Sequence, residues 1–242
     1  MILTSAVLLR NRFEFKSITE QQNVQETKDI KVSICVPARN EEDVIERCIR
    51  SLVNQNYKNL EILVLDDNSE DKTSEILKHL EAGFQNLKII SGSPKPKDWL
   101  GKPWACHQLS KKATGDILVF IDADVWLESN VILKSVSKLK NFDAITIWPQ
   151  QIVIGLLEKL IVPAVYFSLL TLLPAVYVER SPRWMPNALR PYFNKKFVAA
   201  CGQFIAFNKQ AYIAINGHEG VKTQVVEDME LARNLKNRSF SL

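Results

Sequence analysis

The sequence predicts a doubly wound α/β domain, with a mostly parallel sheet and helices on both faces. From Lys31 onward, short apolar runs of strand length alternate with segments of helical periodicity, a pattern typical of parallel sheets covered by helices. The chain has 242 residues, enough for one large domain or one domain with an appendage. Hydrophobic residues make up 46% and charged residues 24%, which excludes a disordered chain and a polytopic membrane protein.

Five strands are predicted from apolar runs, most of them enriched in valine and isoleucine. They are Val32–Pro37, Leu60–Leu65, Leu87–Ile90, Ile117–Ile121 and Ala144–Trp148. Helical spacing between the first two strands gives one apolar face, formed by Ile45, Cys48, Ile49 and Leu52. The next face consists of Ile76, Leu77 and Leu80, after a start at Ser69 or Asp71 that supplies a capping side chain. A further helix is predicted over Met229–Leu235.

Polar clusters follow three of the predicted strands directly. They are Pro37–Glu42, Asp66–Ser69 and Asp122–Asp124. In an open parallel sheet, ligands bind in the crevice outside the carboxyl ends of the strands, so the three clusters should converge there. Carboxylates on alternate residues, such as Asp122 and Asp124, suit a hard divalent cation. Taken alone, that triplet fits a turn with solvated acids at least as well.

Two further features leave alternatives open. Asp66 and Asp67 fit either a helix cap or acceptors for a nucleobase N–H or a ribose hydroxyl. Lys102 follows a glycine turn at a predicted helix start, a good seat for a diphosphate or simply a solvated loop lysine. The four cysteines lack the spacing of a zinc site and are interpreted as reduced thiols. A net charge of +4 gives no indication of nucleic-acid binding.

The ordered set of motifs resembles family 2 glycosyltransferases, in particular the membrane-associated branch with hopanoid-associated and carotenoid glycosyltransferases. The resemblance rests on three segments and covers roughly Lys31 to Lys236. The segments are VSICVPARNEEDVIERCIRSLVNQNYKNLEILVLDDNSEDKT, GDILVFIDADV and VVEDMELARNLK. It implies a GT-A fold, a nucleotide-diphosphate sugar donor and Mg²⁺ or Mn²⁺. It further implies inverting transfer to a hydroxyl or carboxyl acceptor, and the apolar segment described below makes a lipid-like acceptor the expectation.

The resemblance also assigns a role to each cluster. The residues expected to line the nucleoside pocket are Pro37, Arg39 and Glu41, with Asp67 holding the base. The residues expected around the diphosphate are Lys102, Asp122, which faces the ribose or the metal, and Asp124, which binds the metal. Asp228 is expected to be the general base. The alternative for Glu227–Asp228 is an acidic first turn that favours the helix dipole.

The segment Leu160–Val178 has no charged residue and is long enough to suggest a transmembrane helix. A crossing would place Asp124 and Asp228 on opposite sides of the membrane. We therefore predict that the segment lies in the membrane interface, with the basic residues between 180 and 196 near lipid headgroups. This places the protein at the cytoplasmic face, as a peripheral or monotopic protein. A helix buried within the protein or in an oligomer interface is the alternative.

Four parts of the chain are expected. They are an apolar start and polar linker (1–30), a nucleotide-sugar-binding half (31–150), the apolar segment with a basic loop (151–196) and an acceptor-side part with the base (197–242). The resemblance predicts further helices after Asp228, yet the sequence ends at Leu242. A catalytically impaired nucleotide-sugar-binding remnant or partner subunit at the membrane is therefore the main alternative. A nucleotidyltransferase fits less well, because no glycine-rich triphosphate loop follows the first strand.

Overall fold

A computed structural model of the chain describes residues 7–11, 29–172 and 198–242, with positions 178, 186 and 189. Residues 18–148 and 200–242 form one compact unit, and residues 1–17 and 149–199 form another. The first unit contains a six-stranded sheet. Residues 17–28 of the predicted linker and the basic residues predicted between 180 and 196 lie outside the described residues.

The sheet has the strand order β3-β2-β1-β4-β6-β5. Its strands are β1 (Val32–Ala38), β2 (Leu60–Asp66), β3 (Leu87–Ser91), β4 (Ile117–Ile121), β5 (Ala144–Thr146) and β6 (Phe204–Asn208). The first four strands pair in parallel, which confirms the mostly parallel sheet. The predicted end of β5 at Trp148 is wrong, because pairing with β6 extends only to Thr146.

Strand β6 is absent from the sequence-based prediction. It lies between β4 and β5 and pairs antiparallel with both. A run as short as FIAFN carries too little pattern to distinguish a buried strand from a piece of helix. Strand β6 also brings the segment before it to the end of β4. There the Asp122 backbone N–H donates to the Gln203 carbonyl at 3.3 Å.

The α-helices with described bounds are numbered in chain order. They are α1 (Ile45–Val53), α2 (Thr73–Gly83), α3 (Gly101–Lys112), α4 (Val131–Leu139), α5 (Leu156–Leu172), α6 (Lys209–Ala214) and α7 (Glu227–Asn237). The predicted apolar face of α1 is confirmed, because its four residues are all buried. Helix α2 begins at Thr73, after the predicted start, and the Asp71 carboxylate accepts a hydrogen bond from the Thr73 N–H at 2.9 Å. Helix α7 begins two residues earlier than predicted.

Both faces of the sheet are covered, as predicted. On one face, Ile34 and Val36 of β1 pack with α1, α2 and α4 in the main apolar core. Alternate residues of a strand point to the opposite side, where Phe120 of β4 stacks on Tyr212 of α6 with ring centroids 5.4 Å apart. The edge of His218 meets the same phenylalanine at 4.6 Å.

Helix α5 is the described part of the predicted apolar segment, and it begins four residues earlier. Most of its side chains are exposed, with Leu156 at 86%, Leu160 at 72% and Leu172 at 75%, whereas Thr171 is buried. The alternative that this segment is buried within the protein is therefore wrong for α5. None of the helices in the described ranges is long and apolar enough to cross a membrane.

The Glu61 carboxylate of β2 provides a stability test. It accepts hydrogen bonds from the Ser33 hydroxyl and from the Thr114 N–H and hydroxyl, and it pairs with Lys31. Burial alone would raise its pKa, but these bonds lower the pKa from 4.5 to about 2. Because the folded-state pKa is depressed, this stabilisation is present above about pH 4.5 and is lost as the pH falls towards 2.

We expect Glu61→Gln to lower the unfolding free energy at pH 7 by roughly 1–3 kcal/mol, since it weakens bonds to a charged acceptor. We also expect it to flatten the acid limb of stability, measured by urea unfolding between about pH 2 and pH 7. Glu46→Gln is the control, because Glu46 forms an exposed pair with Arg50 on one turn of α1. Equal losses in both variants would contradict a special role for Glu61.

Candidate active site

An open crevice lies at the carboxyl ends of β1, β2 and β4. Its empty volume is about 740 Å³, continuous with solvent. The sequence-predicted residues that line it are Pro37, Arg39, Glu41, Asp67, Lys102, Asp122 and Asp124. The three polar clusters thus converge at the predicted edge of the sheet, and the role of each side chain in ligand binding stays a prediction.

The loops after β1 and β2 are joined to each other. Each turns at an asparagine in the left-handed region, Asn40 with φ 57° and Asn68 with φ 56°, where asparagine is enriched among non-glycine residues. The Asn40 N–H donates to the Ser69 hydroxyl at 3.0 Å, and the Glu70 N–H donates to Asn40 Oδ1 at 2.8 Å. These bonds join the two loops, which contribute Arg39, Glu41 and Asp67 to the crevice lining.

The paired acids after β2 have different surroundings. Asp66 accepts hydrogen bonds from the Ser69 N–H at 3.0 Å and from the Ser74 hydroxyl, so it stabilises the local turn. Asp67 lines the crevice and is 9% exposed. A β-carbon added at Gly92 would lie 3.1 Å from Asp67 Oδ1. The glycine therefore lets the chain after β3 approach closely without displacing this carboxylate.

The Asp122–Asp124 turn presents its two acids to the crevice while the intervening side chains are buried. Ala123 and Val125 are 3% and 4% exposed and join the main core, which confirms the expected alternation. Burial raises the pKa of Glu41, and the charges of Asp124 and Asp122 raise it further. Three carboxylates therefore meet here, and their oxygens are the donors that Mg²⁺ and Mn²⁺ prefer.

This donor set fits a metal that also takes ligands from a substrate. Within the described parts of the chain, no cluster of three or more His, Cys, Asp or Glu side chains is arranged to hold a metal alone. Mg²⁺ commonly binds through one or two carboxylates together with substrate phosphates. Asp122 and Asp124 match that arrangement in number and chemistry.

Lys102, on the first turn of α3, lies between two carboxylates. Its Nζ atom is 2.6 Å from Asp122 Oδ1 and 3.2 Å from Glu227 Oε1. Burial alone would lower the pKa of this amine, but the two carboxylates raise it above its ordinary value. The pKa of Asp122 is raised by burial and by Asp124 and Glu227, against the opposing effect of Lys102. The pairing with Glu227 is not predicted from the sequence.

A smaller inner pocket adjoins the crevice and contains the predicted base. Pro37, Lys102 and Asp122 line both spaces, whereas Glu227 and Asp228 line only the inner pocket. A β-carbon added at Gly202, just before β6, would lie 3.3 Å from Asp228 Oδ2 and 3.4 Å from Lys102 Nζ. The fold therefore brings Asp228 close to Lys102, although 126 positions separate them in the sequence.

The floor of the inner pocket includes a histidine that the sequence does not indicate. His218 is 2% exposed, and its Nδ1 lies 2.7 Å from the Tyr212 hydroxyl. Burial, followed by the charge of Lys102, lowers the pKa of His218 to about 3. The imidazole is therefore neutral at physiological pH and does not add a second positive charge beside Lys102.

Sequence comparison decides the family. The model of glycosyl transferase family 2 matches residues 33–215, which is most of the chain and includes β1 to β6. The chain belongs to glycosyl transferase family 2. This confirms the resemblance inferred from the motifs.

Two curated relatives illustrate what this family 2 chain is similar to. The chain is 27% identical over 235 residues to the 4,4'-diaponeurosporenoate glycosyltransferase of Staphylococcus haemolyticus. The alignment covers 96% of the chain and 58% of the relative. The chain is 38% identical over 104 residues to the beta-monoglucosyldiacylglycerol synthase of Trichormus variabilis. This alignment covers 42% of the chain and 22% of the relative. The chain spans less than two thirds of either relative.

Solved structures confirm the GT-A fold for this family 2 chain. The mannosyltransferase PcManGT of Pyrobaculum calidifontis, in complex with GDP-Man and Mn²⁺, has a TM-score of 0.67 and 18% identity, covering 99% of the chain and 61% of that protein. The glucosyl-3-phosphoglycerate synthase of Mycobacterium tuberculosis, in complex with uridine diphosphate, has a TM-score of 0.52 and 20% identity, covering 86% and 69%.

Gly92 provides a test of the crevice geometry. In Gly92→Ala, the new β-carbon would lie 3.1 Å from the Asp66 carbonyl oxygen and from the Asp67 Cα, so backbone must move. We expect a loss of roughly 1–3 kcal/mol in unfolding free energy, measured by urea unfolding. Gly83→Ala is the control, because no neighbouring atom lies within 4 Å of the new methyl group. If both variants were equally stable, the close approach of the chain to Asp67 would be wrong.

Proposed function

We propose that this family 2 chain carries the donor site and the catalytic base of an inverting glycosyltransferase. The sugar would move from a nucleotide-diphosphate sugar to a hydroxyl or carboxyl group of a lipid-like acceptor. One observation supports this function best. Asp228 lies in a pocket whose wall, formed by Lys102 and Asp122, also lines the crevice proposed for the donor.

The crevice suits a nucleoside diphosphate. Asp67 lines it beside Gly92 and Gly101, and its carboxylate would accept hydrogen bonds from a base or ribose. Pro37, Arg39 and Glu41 supply the remaining wall of the nucleoside pocket. The bound GDP-Man and uridine diphosphate of the two solved structures with this fold support a donor of this class.

Asp124, with Asp122 beside it, would hold Mg²⁺ or Mn²⁺ at the diphosphate. When bound, the ion neutralises charge on the departing diphosphate oxygens. The crowding of Asp122, Asp124 and Glu41 supports this assignment, because each carboxylate raises the cost of ionising its neighbours. The Mn²⁺ in the Pyrobaculum and mycobacterial complexes also supports it.

Asp228 would act as the general base. Its carboxylate takes the proton from the acceptor oxygen as that oxygen attacks the anomeric carbon. The bond to the diphosphate breaks on the opposite face, so a single displacement inverts the configuration, as in inverting glycosidases. Lys102 lies at the boundary between donor crevice and base pocket, where an ammonium group stabilises negative charge that develops on the leaving group.

A lipid-like acceptor and a membrane surface are proposed from α5. Its exposed leucine, isoleucine, valine and phenylalanine side chains form an apolar surface, and they include Leu156, Leu157, Leu160, Ile161, Val165, Phe167, Leu169 and Leu172. Removing this apolar surface from water is favourable, so the helix would bury it in the apolar part of a membrane surface. The carotenoid and diacylglycerol named for the two curated relatives support an apolar acceptor.

Substitution of Asp124 should impair nucleotide binding, whereas substitution of Asp228 should impair sugar transfer. We expect Asp124→Asn to abolish metal-dependent binding of a nucleoside diphosphate, measured by calorimetry with and without Mn²⁺, because a metal ligand is lost. We expect Asp228→Asn to bind the same nucleotide normally and to lose about 10²- to 10⁴-fold in transfer, because only proton removal is affected. Transfer is measured from a panel of nucleotide sugars to total lipid extract.

Asp43→Asn, at an exposed position beyond the crevice, is the control and should match wild type in both assays. Metal-independent binding by wild type would overturn the metal site, and undiminished transfer by Asp228→Asn would overturn the base. Nucleotide binding by wild type with no transfer from any donor would favour the non-catalytic remnant.

The apolar surface of α5 is tested by flotation with anionic liposomes. We expect wild type to float, and Leu160→Asp combined with Leu172→Asp to stay in the soluble fraction, because each leucine contributes about 1.5–3 kcal/mol when buried in an apolar phase. Ile213→Asp is the control, since Ile213 is 62% exposed on α6 in the other compact unit. A double variant that floated as wild type does would exclude α5 as the anchor.

A further inference from the structure

Glu227 is a buried carboxylate beside the proposed base. It is 8% exposed and opens α7 directly before Asp228. Charged side chains are rarely buried without a partner, and the partner here is Lys102, 3.2 Å away. A helix start does not by itself require an acid to be buried, since Glu230 in the same turn pairs with Arg233 at 30% side-chain exposure.

The position of Glu227 separates it from the donor. It lines the inner pocket and not the open crevice, whereas Lys102 and Asp122 line both. Glu227 therefore reaches a donor in the crevice through its ion-pair partner Lys102 and not by direct contact. Asp122 differs, because its carboxylate is also assigned to the ribose or the metal in the proposed function.

We propose that Glu227 is a positioning residue that holds the Lys102 ammonium between the donor crevice and the base pocket while Asp122 engages the donor. This inference rests on the proposed function and adds to it the acid that keeps the ammonium in place. Among the described residues that line the inner pocket, Lys102 is the one lysine or arginine, and His218 is buried against the Tyr212 hydroxyl.

The distances from Lys102 to Asp122 and Glu227 suggest a separate role for each carboxylate. In the structure, Asp122 and Glu227 share the ammonium at 2.6 and 3.2 Å. When Asp122 turns to the donor, the Glu227 pair remains and keeps the amine within reach of the leaving diphosphate. Without Glu227, the four-carbon lysine side chain gains rotamer freedom, and the ammonium is no longer preorganised where charge develops.

A double-mutant cycle tests the positioning role. Glu227→Gln, Lys102→Met and the double variant are assayed for release of nucleoside diphosphate from the sugar nucleotide that wild type uses, with water or lipid as acceptor. We expect Glu227→Gln alone to lower kcat about ten- to hundredfold while donor KM changes less than about threefold. In the Lys102→Met background, the same substitution should cost less than about twofold, because its effect acts through the amine.

Glu230→Gln is the matched control, with the same charge change in the same helical turn, and should keep wild-type kcat. Calorimetric binding of the nucleoside diphosphate to Glu227→Gln verifies that its crevice is folded. Equal costs of Glu227→Gln in both backgrounds, or wild-type kcat in Glu227→Gln, would overturn the positioning role alone. A wild-type protein that neither hydrolyses nor transfers from any sugar nucleotide would overturn the proposed function, and this inference with it.

Discussion

The site depends on one interaction, the ion pairing of Lys102 with Asp122 and Glu227. The three residues belong to the start of α3, the end of β4 and the start of α7, so a single ammonium joins three elements that are distant in sequence. Without it, two partly buried carboxylates would face each other near Asp124 and Asp228, which is electrostatically costly. The amine thereby allows a strongly acidic site to exist in a folded chain.

The apolar sheet explains why those polar groups meet. On one face of β1, β2 and β4 the buried side chains are mainly valine and isoleucine, and on the other they include Leu63, Leu118 and Phe120. In parallel strands the carboxyl ends lie at one edge. Two glycines then permit close approach: Gly92 beside Asp67, and Gly202 beside Asp228 and Lys102. Packing of the apolar side chains positions these strands, and the lack of a side chain at Gly92 and Gly202 leaves room for the reactive groups.

Motif order and periodicity predicted the strands β1 to β5, the covered faces, the crevice residues and the family. They did not predict β6, because a five-residue run has too little pattern, and its antiparallel pairing with β4 and β5 joins parts of the chain more than 50 residues apart. They also placed the start of α7 two residues late, although Glu227–Asp228 was considered as an acidic first turn, which is where the structure has it. The ion pair of Glu227 with Lys102 lies at this helix start, and a contact between residues so distant in sequence is not visible in local spacing.

By itself, the sequence determined which chemistry is present: paired acids after buried strands, a lysine at a helix start and an Asp–Glu pair near residue 228, in the order that defines family 2. Local spacing carries this information because strand alternation and helical periodicity are properties of neighbouring residues. The partners were decided by the tertiary structure alone. Asp66 stabilises a turn while Asp67 lines the crevice, and Lys102 pairs with Glu227 rather than with solvent. These differences follow from long-range packing, which sequence spacing does not encode.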